Sequence, residues 1–325
     1  MTILVTGAAG FVGNNVVRQL AAQGRAVRGL VRSSAAEREF AGVNCDRVTG
    51  DVTDPDSLHS AMDGVTAVIH AAAIVHIGWT RVEELRRVNV DGTRNMVRLA
   101  RQANARLIYV SSVDALGLGS PTQPADEETP RVGNPPCGYV VTKQAAEQVV
   151  REALADGLDG VIVNPGFMLG PWDWKPTSAR MILSVLGQKP LLSPPGGGCI
   201  CDVRDVASGI IKALDQAPCG SQYILGGVNM RYHDLWSEIA RHGGVRGPVL
   251  RAGPIMTQVV GWCGDLMGKA RGRESDMNSA ITSMACGYHY YSSDRARREL
   301  HYSSRPLATT LDDTCQWLRE YGYLN

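Results

Sequence analysis

No run of about eighteen apolar residues occurs anywhere in this 325-residue chain, so the sequence offers no membrane-spanning helix. Runs of lysine and arginine are also missing, and the formal net charge is only +1, which leaves no electrostatic footprint for a nucleic acid. Scattered cations such as Arg86, Arg87, Arg297 and Arg298 read as parts of a solvated face. The eight cysteines form no disulfide framework, and a chain of this length needs no staples to fold. Cys199-Ile200-Cys201 is the only close pair; no second pair or nearby histidine completes four ligands, so no metal is expected. The amino terminus passes from Met1 into Ile3-Leu4-Val5 without a basic segment or cleavage site, and the reading is a reduced, cytoplasmic protein. No internal repeat, low-complexity tail or flexible linker stands out.

What the chain does have is 44% hydrophobic residues, ample for one large α/β core with a smaller lobe. Thr2 to Thr6, Ala26 to Val31, Ala67 to His70, Arg106 to Val110 and Gly160 to Val163 read as strands, with another before Gly50. Helices are expected to begin near Gly13, Ser57, Val82 and Tyr139. β-branched runs separated by helical intervals predict a doubly wound parallel sheet with helices on both faces and ligands at one edge, over residues 1–165. Beyond this the pattern loosens, with proline and glycine clustered at Pro165-Gly166, Gly170-Pro171 and Pro194-Pro195-Gly196-Gly197-Gly198. Met181 to Leu186, Asp205 to Leu214, Leu235 to Arg241 and Leu311 to Tyr321 look helical. Residues 166–325 are therefore expected to form mainly a substrate-binding lobe, with some segments returning to the core. Gly253 to Gly272 mixes methionine, tryptophan and glycine with weak polar patterning. It reads as a core helix, a partner surface or a membrane-touching flap, and packing into core or lobe is the favoured reading.

Gly7, Gly10 and Gly13 fall directly after the first strand, in Thr6-Gly7-Ala8-Ala9-Gly10-Phe11-Val12-Gly13. Glycine permits a tight turn and close approach of a pyrophosphate to backbone donors, and the following helix turns its positive end to the phosphates. A glycine trio alone could be close packing; its place between first strand and first helix favours a dinucleotide cradle. Where NAD sites of this kind often carry an acid, at the end of the second strand, the chain reads Leu30-Val31-Arg32-Ser33-Ser34. Arg32 can fork onto a ribose phosphate, with Ser33 or Ser34 adding a hydrogen bond, so NADP(H) is preferred and NAD(H) stays possible. The plainer alternative is a solvent-facing Arg32. Asp51 is placed to hold an adenine amino group with Val52 against the base, unless the pair is only a turn. Ala71-Ala72-Ala73 would let a ribose pass close to the backbone, or is ordinary close packing.

Tyr139 and Lys143 stand four residues apart in a helical segment, so both can occupy one face. A phenol ordinarily loses its proton near pH 10. A neighbouring ammonium and the positive ring of an oxidised nicotinamide would favour phenolate. Ser112 could hydrogen-bond a substrate oxygen while Tyr139 gives a proton to a carbonyl or takes one from an alcohol. Lys143 could also bind the nicotinamide ribose. This spacing is common on surface helices, and the catalytic reading rests on the cofactor loop and Ser112 accompanying it.

Taken in order, TGAAGFVG at 6–13, DV at 51–52, AAA at 71–73, SS at 111–112 and YVVTK at 139–143 resemble the extended short-chain dehydrogenase/reductase superfamily, over almost the whole chain. The resemblance implies a Rossmann fold with Ser112 as catalytic serine, Tyr139 as proton-transfer residue and Lys143 as its electrostatic and cofactor-binding partner. It also puts Phe11 and Val12 in the cofactor loop, Ser111 on the cofactor side, and Pro165 and Gly166 at the turn shaping the nicotinamide end. Asn89 is implied to hold backbone and water in the active-site network. VIVNPGFMLGPWDWKPT at 161–177, YILGG at 223–227 and LVR at 30–32 resemble dihydroflavonol-reductase-like and hopanoid-associated sugar epimerase-like members, a subgroup in which the arginine goes with NADP.

The leading reading is an NADP-preferring reductase of a ketone or aldehyde, possible substrates being apolar or ring-containing. The runner-up is a nucleotide-sugar epimerase or dehydratase with tightly held NAD(P). Val113 directly after Ser112 supplies no added acid, which counts against a dehydratase, and no diphosphate-binding arginine set stands out. A non-catalytic NADP-binding sensor or scaffold is the third reading, and the intact Ser112, Tyr139 and Lys143 argue against it. Trp172 and Trp174, with Met168 at the edge, would cover a substrate ring or else pack as lid or core. Arg204 could meet a phosphate or carboxylate, or pair internally. Val82 to Ala103 and the helix from Tyr139 resemble the elements that form a homodimer's four-helix core in many family members.

Overall fold

The computed structural model describes residues 1–33 and 37–324. Seven parallel strands form the main sheet, and six come from the first half of the chain: β1 (Thr2–Thr6), β2 (Ala26–Val31), β3 (Asp46–Thr49), β4 (Val65–His70), β5 (Arg106–Val110) and β6 (Gly160–Pro165). The seventh, Gln222–Leu225, lies beyond residue 165 yet joins the sheet beside β6. Across the sheet the order is Gln222–Leu225, β6, β5, β4, β1, β2, β3, so the direction of winding reverses between β1 and β4. That reversal opens a crevice at the carboxyl ends of these two strands. Ile3, Leu4 and Val5 of β1 are completely buried, as a strand covered on both faces requires.

Helices α1 (Phe11–Ala22), α2 (Val82–Leu85), α3 (Gly92–Gln102) and α4 (Gly138–Ala155) supply most of the first cover. Val16, Val17 and Leu20 of α1 pack on one sheet face against Ile3, Val5 and Ile69. Met96, Leu99 and Ala100 of α3 and Ala146 and Val150 of α4 pack on the other, against Leu4, Leu107 and Ile162. The helix expected near Ser57 is only two short 3-10 turns, Pro55–Leu58 and Ser60–Met62. Asp54 caps the first by accepting from the Asp56 amide, and the chain turns again before a third hydrogen-bonded turn forms. Between α2 and α3 the helix loosens into a π-helical turn, Arg86–Asp91, which carries Asn89.

The remaining chain builds β7 (Phe167–Leu169), α5 (Ala179–Gln188), β8 (Leu192–Ser193), β9 (Gly197–Asp202), α6 (Val203–Gln216), the returning strand β10 (Gln222–Leu225), β11 (Val228–Arg231) and α7 (Tyr232–His242). It ends in β12 (Leu250–Arg251), α8 (Pro254–Arg271), α9 (Ser279–Cys286), β13 (Tyr288–His289), α10 (Asp294–Leu300) and α11 (Leu307–Glu320). A second, small sheet pairs β9 with β11, β13 and β7, and β8 pairs β12 in a separate ribbon. Helix α6, capped by Asp202, lays Val206, Ile210 and Leu214 into the same core as α1. No described helix is long and apolar enough to cross a membrane.

Two readings left open by the sequence narrow here. Trp174 is 8% exposed and sits in the lobe core, edge-on to Trp317 at 5.1 Å and to Tyr321 at 4.8 Å, while the Arg18 guanidinium covers Trp172 at 4.7 Å. Both indoles are thus used in packing, because α11 and α1 offer them aromatic and cationic partners. The second concerns α8, which does not pack as a core helix. Thr257, Gly261, Gly264 and Gly268 are its buried positions, against α9 and the turn before it, while its bulky apolar side chains stand outward.

Candidate active site

The turn after β1 is set by Gly7, whose φ of +66° lies in the left-handed region that favours glycine. Its neighbour across the crevice is the Ala71-Ala72 backbone, and a Cβ on Gly7 would stand 2.8 Å from the Ala72 nitrogen. Gly10 donates its N–H to the Gly7 carbonyl at 2.8 Å and begins α1 with no side-chain cap and no acid in the first turn. The amides of Phe11, Val12 and Gly13 therefore remain uncapped at the positive end of the helix, which fits an anionic pyrophosphate. A Cβ on Gly13 would overlap the Gly7 carbonyl, 2.7 Å from its carbon, so glycine there lets the helix sit tight on the turn. Arg32 follows β2 directly, is exposed, and is paired with no acid among the described residues. Ser34 lies outside the described residues. One oxygen of Asp51 accepts from the Thr53 amide and hydroxyl at 2.8 Å each, leaving the other for a further donor. Val52 is buried against Gly92 of α3. Ala71 and Ala72 are half-buried and Ala73 is exposed, along the edge of the crevice.

Beyond β5, Ser112, Tyr139 and Lys143 are brought together and all are nearly enclosed, at 8%, 7% and 2% exposure. The Tyr139 phenol lies beside the Ser112 hydroxyl, near enough for that group to favour its ionised form. The Lys143 ammonium donates to the Val110 carbonyl at 2.9 Å and lies over the Tyr109 ring at 4.9 Å. The phenol by itself is pushed up from its ordinary value: burial acts first, the Asp114 carboxylate adds to it, and the nearby Ser112 hydroxyl only partly offsets them. Lys143 moves down to about 8, chiefly through burial, against the opposing charges of Glu147 and Asp114. Tyr139 thus keeps its proton throughout the neutral range, while Lys143 is the group that titrates near it. Carbonyl reduction is accordingly expected to hold level at neutral pH and to fall above about pH 8 as the ammonium is lost, and alcohol oxidation, which needs the same ammonium to steady the phenolate, should fall there too. Initial rates in both directions against pH check this, and a reduction rate that rises past pH 8 contradicts it.

Residues 3–226 match the model of the NAD dependent epimerase/dehydratase family. The chain belongs to that family. Among relatives, a Synechocystis sp. protein bearing dihydroflavonol 4-reductase as a provisional name is 33% identical over 98% of this chain and 95% of its own. Sterol demethylase protein B of Methylococcus capsulatus is 30% identical, with all of both chains covered. The crystal structure of gox2253 matches with a TM-score of 0.87 and 35% identity, over 100% of this chain and 99% of that one. This membership in the extended short-chain dehydrogenase/reductase family makes the protein an NAD(P)-dependent enzyme.

In this family member, Asn89 does more than cap a bend. Its amide donates to the Ile74 carbonyl and the Thr142 hydroxyl at 3.1 Å each, and its oxygen accepts from the Ile74 amide at 2.8 Å. It therefore ties the segment after β4 to the helix that carries Tyr139 and Lys143. Ser111 does not turn toward the crevice; its hydroxyl donates to Glu147 at 2.5 Å. Gly166, after Pro165, donates to the Leu225 carbonyl at 3.1 Å and so fixes the turn out of β6 to β10. Arg204 pairs with Asp202 and Asp313, which leaves it occupied within the lobe. Among the described residues no three His, Cys, Asp or Glu side chains are grouped to hold a metal.

Two residues escaped the sequence reading. Glu147, completely buried one helical turn after Lys143, gathers Ser111, Asn164, Gln222, Arg131 and Arg151 around its carboxylate, and these partners hold it ionised. Its spacing from Lys143 on one helix face was the available signal. Asp114 is the acid that seemed absent beside Ser112. The 3-10 turn Val113–Ala115 folds it back, so that the Ser112 hydroxyl donates to its carboxylate at 3.2 Å. Around Asp114 lie His289, whose Nδ1 is 3.6 Å away, and the Tyr291 and Tyr232 phenols that feel its charge. His289 Nδ1, Tyr291 Oη and Asn134 Oδ1 are buried without hydrogen-bond partners among the described residues, so this side of the site is polar and open to more bonding. Tyr139 itself is packed in a buried apolar cluster with Cys137, Val140, Ala280 and Met284, and Ile77 lies beside them.

Proposed function

We propose that the protein is an NADPH-preferring reductase that converts a ketone or aldehyde on an apolar, ring-containing compound to the alcohol. The observation that carries this reading is a buried, protonated phenol on α4, beside Ser112 just past β5 and one helical turn from Lys143, packed in an apolar cluster. A nicotinamide cofactor supplies the reducing equivalent in this chemistry. Ser112 and Tyr139 offer two hydroxyls to one carbonyl oxygen, and the phenol passes its proton to that oxygen as negative charge builds there. Lys143, cationic below about pH 8, stabilises the phenolate left behind and offers hydrogens to ribose hydroxyls. Met284 and Ile77 exclude water from the same space and favour an apolar substrate, in keeping with the sterol named for the Methylococcus relative.

Arg32 takes the 2′-phosphate in this reading, since no acid stands at the end of β2 to claim the ribose hydroxyls. Arg32→Ala is expected to lower the NADPH over NADH preference in kcat/KM by about tenfold or more, the worth of a charge-assisted fork. An unchanged ratio would remove the assignment. Helices α3 and α4 remain the proposed homodimer face, with Val141 exposed on α4.

Asp114 supports a second reading. A carboxylate bonded to Ser112 can serve as an added acid or base, as transient oxidation of a sugar followed by epimerisation or elimination requires. Product analysis separates the two: a panel of aromatic ketones, aliphatic aldehydes, hydroxysteroids and sugar nucleotides is incubated with NADPH or NADH and, in parallel, with the oxidised cofactors that a transient oxidation needs. Net alcohol formation, faster with NADPH, supports the reductase; a rearranged sugar without net cofactor use supports the epimerase or dehydratase.

A further inference from the structure

Helix α8 is amphipathic in the reverse of the usual sense. Its inward line is Thr257, Gly261, Gly264 and Gly268, small enough that Gly264 and Gly268 rest on the backbone of the following turn. Its outward face carries the large apolar side chains: Ile255 is 82% exposed, Leu266 71% and Trp262 63%, and Val259 and Met267 are exposed as well. At 100° per residue these positions and Met256, Val260, Cys263 and Ala270 fill close to half the helix circumference, without one charge. The β8–β12 ribbon, which leads into α8, exposes Leu191, Val249 and Leu250 as well. The surface of a water-soluble monomer rarely leaves so large an apolar patch uncovered.

The charges around the patch say what covers it. Between residues 246 and 273 there are five cations, Arg246, Arg251, Lys269, Arg271 and Arg273, and one acid, Asp265. Asp265 already accepts from the Ser279 amide at 3.1 Å. Lys269, Arg271 and Arg273 are exposed at one end of the helix, in no ion pair among the described residues; Arg246 lies exposed toward the other, with Arg251, which faces the exposed Asp234 at 3.7 Å. Nearby Glu274 is engaged by His76, Thr80 and the Trp79 amide. A second copy docked here by a twofold axis would set cations against cations whether the helices ran parallel or antiparallel. An anionic bilayer meets both demands at once, with headgroups for the two basic ends and an acyl boundary for the apolar half between them.

We infer that α8 and the β8–β12 ribbon are a docking face by which the protein lies on an anionic lipid surface, held in the interface plane and not spanning it. Trp262 anchors the middle of the helix, and Lys269, Arg271 and Arg273 engage the headgroups. Docking does not depend on the reaction proposed above. It does place the bilayer one helix away from the reacting group, because α9, on which α8 rests, supplies Ala280 and Met284 to the cluster around Tyr139.

The test is cosedimentation of the full chain with phosphatidylcholine vesicles, with and without an equal part of phosphatidylglycerol. The expected result is at least about tenfold more protein pelleted on the anionic vesicles, reversed by high salt. Leu266→Glu should abolish pelleting with an unchanged thermal midpoint, since the side chain is exposed. Replacing Lys269, Arg271 and Arg273 by Gln together should erase the difference between the two lipids. Wild-type protein that stays in solution with both vesicles overturns the inference, as does a Leu266→Glu chain that pellets normally. A wild-type mass by light scattering that falls to the monomer value in Leu266→Glu would also overturn it, by showing a second copy on the face.

Discussion

Tyr139→Phe is expected to lower kcat for carbonyl reduction by about a hundredfold to ten-thousandfold, the usual worth of a positioned proton donor. The ring can stay where it is, packed among Cys137, Val140 and Met284, so neither the fold nor the cofactor crevice loses a contact. The Ser112 hydroxyl also keeps a partner, because it donates to Asp114. What disappears is the phenol's single proton, beside Ser112. NADPH affinity, read by fluorescence titration, should therefore match the wild type while turnover collapses. A Tyr139→Phe variant that reduces its ketone at the wild-type rate would remove Tyr139 from the chemistry.

Gly13→Ala should act in the opposite manner, on binding and stability before chemistry. The added methyl would lie inside contact distance of the Gly7 carbonyl, and its obstacle is backbone, which cannot rotate away. Gly7 cannot yield freely either, since its positive φ and the nearby Ala71-Ala72 backbone fix the turn. Either α1 moves off β1 or the turn opens, and both carry the Phe11 and Val12 amides away from where a pyrophosphate would be held. Overpacking of this kind costs about 1–3 kcal/mol or more, and the dissociation constant for NADPH should rise by at least about tenfold. Thermal melting with and without NADPH measures both. An alanine variant that melts and binds like the wild type would show that the close helix–turn contact is not what shapes the cradle.

The parts of the fold that depend on local pattern were legible in the sequence. Strands β1, β2 and β5 begin and end where the apolar β-branched runs do, since each is covered on both faces and needs no alternation. The glycine loop and the Tyr139–Lys143 pair could be read for the same reason: their geometry is set within eight residues and one helical turn. Asp114 was hidden because Val113 holds the position directly after Ser112, whereas the 3-10 turn brings back the side chain two residues on. The sequence left Trp174 open between substrate cover and core because its partners, Trp317 and Tyr321, lie more than a hundred residues away in and just after α11. Helix α8 was misread through its composition: apolar content suggested core, but its glycines, not its large side chains, make the packing surface. The raised Tyr139 value had no sequence signal, since burial and the Asp114 charge are products of the fold.

The central claim is that this protein completes a net reduction at a carbonyl carbon. It is tested most directly by incubating the wild-type chain with NADPH deuterated at the nicotinamide C4 and the best substrate of the panel, then locating the label by mass spectrometry and NMR. The account predicts one deuterium on the carbinol carbon of the product for each NADP formed. A product that has been rearranged, carries no label and leaves the NADPH unspent would contradict it.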